Sequence, residues 1–181
     1  MKRNDMFDPI IIDKSKPDSR TLIMPHQQEA VEAMTRYYSL EQELPGRSGM
    51  VVMPTGSGKT YTAVTWLLQQ GIVNGYRIVW LVHRQELVEQ TWQEFREQAP
   101  QLQGTGVKEL RILPISAARN HLRMSQANKA DVYVCSIAST ANKSGYRSIE
   151  RMVGAAGKRK VIVVIDEAHH AVAGNYQKVL N

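Results

Sequence analysis

Five short apolar runs constrain this chain more than any other feature: residues 50–53, 78–82, 110–113, 132–135 and 161–165. Each is four or five residues long and rich in Val and Ile. The middle runs lack polar–apolar alternation, which predicts strands buried on both faces. Helical spacing occupies most of the gaps. Pro25 opens one such pattern, with Gln27, Ala30, Val31, Met34 and Tyr38 recurring through about residue 40 before Pro45-Gly46 breaks it. Residues 59–70 form a second. Residues 85–98 form a third, with Leu87, Val88, Thr91, Trp92 and Phe95 on one side, and residues 149–156 a short fourth. Strands alternating with helices predict an α/β fold, with a mostly parallel central sheet and helices on both faces. The stretch 114–129 reads equally as a helix or a long connection. Residues 104–106 and 141–147 read as loops.

The strongest local motif is Pro54-Thr55-Gly56-Ser57-Gly58-Lys59-Thr60. It follows the first apolar run and opens an amphipathic helix, the two flanks that a phosphate-binding loop requires. Gly56 and Gly58 allow a tight turn that aims backbone N–H groups inward. The helix N-terminus adds positive partial charge. Lys59 is placed to neutralise β- and γ-phosphate charge, and the Thr60 hydroxyl to ligate Mg²⁺. The full pattern starts with a glycine where this chain has Met53, a position assigned to the end of the strand.

The last apolar run delivers Asp166-Glu167-Ala168-His169 at its C-terminal end. This is the Walker B arrangement: Asp166 holds Mg²⁺ through water, and Glu167 reaches the water that attacks the γ-phosphate. An Asp-Glu pair after a strand is by itself more often a solvated turn. Its pairing with the upstream loop gives it meaning. Three strand candidates lie between the two motifs, which fits the RecA-like class of P-loop NTPases and argues against the simplest nucleotide kinases. A GTPase is a poor fit, because Asn142-Lys143-Ser144-Gly145 lacks the Asp that selects guanine.

Length and composition are compatible with this picture. The chain has 181 residues, room for one domain. Residues 1–20 are polar, carry Pro9 and Pro17, and read as an arm or edge segment, which leaves 21–181 as the ATP-binding domain. The 23 basic and 17 acidic residues give a net charge of +6, which mildly favours a polyanionic partner. The single cysteine, Cys135, lies in an apolar run and reads as an inert core thiol in a reducing, cytoplasmic setting. No apolar stretch is long enough to span a membrane. Trp66, Trp80 and Trp92 occupy core-like positions rather than a stacking platform.

On these residues the chain resembles superfamily 2 helicases of the DEAD/DEAH-box type. Residues 54–60 resemble their motif I. Asp166-Glu167-Ala168-His169 matches the DEAH form of motif II letter for letter. Residues 81–91, beginning Leu81-Val82-His83-Arg84, resemble motif Ia, and residues 134–140 occupy the place of motif Ib. The His169-His170-Ala171 continuation and the His-Arg start of motif Ia are similar to one branch: the motor subunits of type I and type III restriction enzymes and the excision-repair DNA helicases.

The resemblance implies an ATP- and Mg²⁺-dependent helicase or translocase, with DNA ahead of RNA as its track. It implies Gln27 as an adenine reader within Pro25-His26-Gln27, although Met24 and His26 replace the usual arginine and tyrosine. The nucleotide-binding set is then Gln27, Thr55, Gly56, Ser57, Gly58, Lys59, Thr60, Asp166, Glu167 and His169. Lys59 and Glu167 are the catalytic candidates, and Thr60 and Asp166 the metal ligands. His83, Arg84, Ser136 and Ser139 become candidate nucleic-acid contacts, with a glutamine usual where this chain has Ala138. Arg84 also suits a plain helix-start role. The family carries a second RecA-like domain, and this chain reads as the first one alone, an excised or truncated motor. Restriction or repair subunits would be its further partners. An RNA helicase, or a nucleotide-gated binding module without productive hydrolysis, stays open as an alternative.

Overall fold

The computed structural model describes residues 9–14, 24–39, 47–115, 130–137 and 159–167. In chain order these form β1 (Ile10–Ile11), a 3₁₀ turn (Ile12–Lys14), α1 (Pro25–Tyr38), α2 (Lys59–Trp66) with a π-helical continuation (Leu67–Ile72), β2 (Arg77–Val82), α3 (Gln85–Gln98) with a 3₁₀ extension (Ala99–Leu102), β3 (Glu109–Leu110), β4 (Ile112–Ile115), β5 (Val132–Ser136) and β6 (Val161–Ile165).

The central sheet has four strands in the order β4-β5-β2-β6. All three pairings are parallel, with Ile78 opposite Val132, Arg77 opposite Val161 and Ile112 opposite Val132. The expected α/β class and parallel sheet are therefore present. Every residue of β2 and β5 is buried, as expected of strands without alternation. On one face, Ile78, Trp80, Val82, Val132 and Val134 pack against Val31 and Met34 of α1, Val64 and Trp66 of α2, and Val88, Trp92 and Phe95 of α3. On the other, Val79, Leu81, Leu113, Tyr133 and Cys135 form a second cluster. All three tryptophans are core residues, at most 4% exposed.

The helices follow their sequence signals closely. Pro25 starts α1, where its missing N–H costs nothing. Ser39 ends it with a left-handed backbone (φ 44°) that donates its N–H to Thr35 O. α3 spans the expected residues 85–98. Its buried Gln98 accepts from Thr65 Oγ1 at 2.7 Å and donates to Tyr61 O at 3.2 Å, tying α3 to α2.

Two expectations need correction, and residues 10–12 take up the edge-segment reading. Residues 50–53 form no strand, and Met50, Val51 and Val52 are exposed. Among the described residues the sheet ends at β6, whose outer edge carries no paired strand, and residues 50–53 form no ladder with it. The run 110–113 is split at Arg111. Its first part pairs antiparallel with β1, Ile10 opposite Leu110, and its second joins the central sheet. The residue just after β1, Ile12, is fully buried in the larger core cluster, so residues 10–12 pack as part of the domain. The helical pattern at 149–156, the loop at 141–147 and most of the ambiguous stretch 114–129 lie outside the described residues.

The basic run 158–160 contains a structural group. Arg159 donates to Gly75 O at 3.0 Å, Tyr76 O at 3.1 Å and Asp131 Oδ1 at 2.8 Å. Asp131 Oδ2 in turn accepts the Arg111 N–H at 3.0 Å. One guanidinium thus links the segments entering β2, β4, β5 and β6 at the N-terminal edge of the sheet.

Candidate nucleotide-binding site

The site is assembled at the opposite, C-terminal edge. Gly56 and Gly58 adopt φ values of +78° and +81°, a conformation that L-residues with a Cβ rarely take. They bend residues 54–58 into a loop closed by the Ser57 N–H and Ser57 Oγ, both bonded to Pro54 O. Gly58 then caps the N-terminus of α2, its carbonyl accepting from the Thr62 N–H and Thr62 Oγ1, each at 2.9 Å. Lys59 and Thr60 fall in the first helical turn, where the helix N-terminus favours an anion. The Lys59 ammonium lies 3.3 Å from both Met53 O and Pro54 O, so it folds over the loop's own carbonyls.

The first turn of α1 is pinned to this loop. Gln27 is 8% exposed. Its Oε1 accepts the Met24 N–H at 3.0 Å, and its Nε2 donates to Ser57 O at 3.0 Å. The neighbouring His26 Nε2 also donates to Ser57 O at 3.0 Å. Gly58 sits against the same amide: a Cβ there would run into Gln27 Nε2. Gln27 is therefore more than a polar helix face. One amide hydrogen and one lone pair on its side chain remain for a ligand.

Opposite the loop, the Asp166 N–H extends the parallel ladder to Leu81 O at 2.9 Å. The chain turns at once, with Glu167 in a left-handed conformation (φ 54°) whose N–H bonds Asp166 Oδ1 at 2.9 Å. Burial holds the Asp166 carboxyl above the usual aspartate range. The Glu167 N–H opposes that shift, as do the Trp80 indole N–H and the Lys59 ammonium, while the Glu167 charge adds to it. Lys59 and Asp166, 107 residues apart, are thus electrostatic neighbours. Glu167 is exposed at the rim.

A helix-start hydroxyl and one strand-end carboxylate suit a hard cation that completes its shell with water and phosphate oxygens, which is Mg²⁺ chemistry. Thr60 and Asp166 would hold it, and a cation there would offset the desolvation of Asp166.

Of the candidate nucleic-acid contacts, His83 and Arg84 are exposed at the bend from β2 into α3, with Arg84 at the N-cap in an extended conformation. Ser136 is fully buried at the end of β5. Ser139 and His169 lie outside the described residues. The contacts of His26 and Gln27 with the loop escaped sequence reasoning, because helical spacing reports which residues share a face and not what that face meets.

A glycine-bent loop opening a helix and a carboxylate at the end of a parallel strand lie on an α/β domain with a parallel central sheet. The chain belongs to the family described as "Type III restriction enzyme, res subunit", whose model matches residues 21–181. It is 22% identical over 130 residues, 72% of its length, to a 51.5 kDa protein of a Lactococcus phage (isolate 7-9), of which the match covers 20%. The UvsW helicase of bacteriophage T4 is a structural neighbour at 16% identity and a TM-score of 0.48, over 93% of this chain and 62% of that one. The chain therefore spans about a fifth of the one relative and less than two thirds of the other. Among the described residues no helix is long and apolar enough to cross a membrane.

Proposed function

We propose that this chain is the ATP-binding domain of a DNA helicase or translocase motor. The observation that carries the reading is the loop 54–58, bent by Gly56 and Gly58 and opening α2 with Lys59 in its first turn, together with Asp166 in the turn that ends β6. This arrangement would supply a phosphate cradle and a metal-binding carboxylate at one edge of the sheet. On nucleotide entry the Lys59 ammonium leaves the Met53 and Pro54 carbonyls for β- and γ-phosphate oxygens. The backbone of Thr55, Gly56, Ser57 and Gly58 wraps the phosphates. Thr60 and Asp166 would hold Mg²⁺, whose charge would offset that developing on the phosphates. Glu167 accepts the proton of the attacking water, with His169 two residues further along the chain. Gln27 offers its remaining amide hydrogen and lone pair to the adenine edge.

A second RecA-like domain would supply the arginine that stabilises the transition state, an effect of about 10³–10⁵ in rate. DNA is favoured as the track by the res-subunit family, and the exposed His83 and Arg84 at the C-terminal end of β2 would meet a phosphate backbone of either nucleic acid.

Calorimetry with ADP and with a non-hydrolysable ATP analogue tests the reading. Lys59→Ala is expected to weaken binding at least tenfold, whereas Glu167→Gln preserves it. Equal affinities in the two variants would overturn the roles. The 181-residue chain is expected to hydrolyse ATP slowly, and robust nucleic-acid-stimulated turnover by it would refute the need for a second domain. Stronger stimulation of a longer homologous protein by RNA than by DNA would reassign the track.

A further inference from the structure

Strand β2 is apolar from Ile78 to Val82 except for one donor, the indole N–H of Trp80. Trp80 is 2% exposed, and its ring is held edge-on by Phe95, centroids 5.8 Å apart at 90°. Its Nε1 has no full hydrogen-bond partner. A buried donor left so is costly, and a phenylalanine would fill much of the same space without that cost.

The register shows where this donor lies. Trp80 is paired with Val164. Asp166 follows two residues later, on the same face by strand alternation, and its N–H is bonded to Leu81 O. The register thus sets the indole N–H, which has no other partner, beside the strand end that carries the Asp166 carboxylate.

We propose that Trp80 is a positioning residue for the metal site, its indole N–H orienting the Asp166 carboxylate toward the cation. This rests on the nucleotide-binding reading above. The Glu167 N–H already holds Asp166 Oδ1. A second donor, approaching from the sheet side, fixes the rotation of the carboxylate and leaves its remaining lone pairs facing the loop. Outer donors of this kind typically change metal affinity by about 10–100-fold when removed.

Two measurements test it. In ¹H–¹⁵N spectra of the metal-free protein, the three indole signals report Trp66, Trp80 and Trp92 separately. Asp166→Asn is expected to move the Trp80 signal and leave the other two in place, since Trp66 Nε1 bonds Thr35 Oγ1 elsewhere in the core. An unmoved Trp80 signal would overturn the contact. Trp80→Phe keeps a ring and deletes the donor. It is expected to leave ADP binding in EDTA unchanged while raising the Mg²⁺ concentration needed for half-maximal enhancement of ADP binding about tenfold. Equal weakening with and without Mg²⁺ would reduce Trp80 to a packing residue and refute the proposal. Should Trp80→Phe not fold, the indole experiment on the tryptophan-containing protein still decides. If wild-type protein binds no ADP, the nucleotide reading fails, while the indole shift continues to report on Trp80 and Asp166.

Discussion

Gly58 offers the sharpest test of how the loop is built. Gly56 and Gly58 have nearly the same backbone, φ +78° and +81°, but different surroundings. A Cβ on Gly56 would meet nothing within 4 Å, whereas one on Gly58 would collide with Gln27 Nε2. Alanine at either position takes on left-handed strain of about 1–2 kcal/mol. Both changes also stiffen the unfolded chain, by an amount that cancels when the two are compared. Gly58→Ala must in addition push the Gln27 amide off Ser57 O, losing a bond worth a net ~0.5–1.5 kcal/mol. The expected costs are therefore about 1–2 kcal/mol for Gly56→Ala and about 1.5–3.5 kcal/mol for Gly58→Ala. In a Gln27→Ala background the collision is gone, and Gly58→Ala should cost only the strain. Urea unfolding of the two single variants, the double variant and Gly56→Ala measures this as a coupling of about 0.5–1.5 kcal/mol. Equal costs for the two glycines, or no change in the cost of Gly58→Ala when Gln27 is absent, would refute the packing of α1 on the loop.

Other outcomes follow from the same geometry. Burial pushes the Cys135 thiol well above its ordinary range, so the folded chain keeps a proton that the unfolded chain loses. Stability should therefore fall as pH rises above the unfolded thiol's pKa of about 8.5, by about 1.4 kcal/mol per pH unit. Cys135→Val should flatten that slope between pH 8.5 and 10 in pH-dependent unfolding, and an unchanged slope would show that the thiol is not its source. Arg159→Ala should destabilise by about 1.5–3 kcal/mol in denaturant titrations, because two strand-entry carbonyls and Asp131 lose one shared donor. Arg159→Lys should recover little, lacking the planar fork that reaches all three; full recovery would mean that charge alone matters.

What the sequence determined by itself is what short-range physics encodes. The 3.6-residue recurrence of Leu87, Val88, Thr91, Trp92 and Phe95 specified α3 to its observed bounds. Unalternating Val and Ile marked β2, β5 and β6 as sheet strands, and the spacing of Gly56, Gly58 and Lys59 marked a tight turn opening a helix, because these signals depend only on neighbours along the chain. Only the tertiary structure decided the rest. Residues 50–53 have the composition of a strand but pair with no other backbone, and composition alone does not decide pairing. The run at 110–113 divides at Arg111 because its two ends meet different partners, β1 and β5. Ser136 sits in a motif position and is sealed from solvent, while Gln27 and Trp80 gain their roles from Ser57 and Asp166, 30 and 86 residues away. Contacts at such separations depend on how the elements pack, and no periodicity along the chain records them.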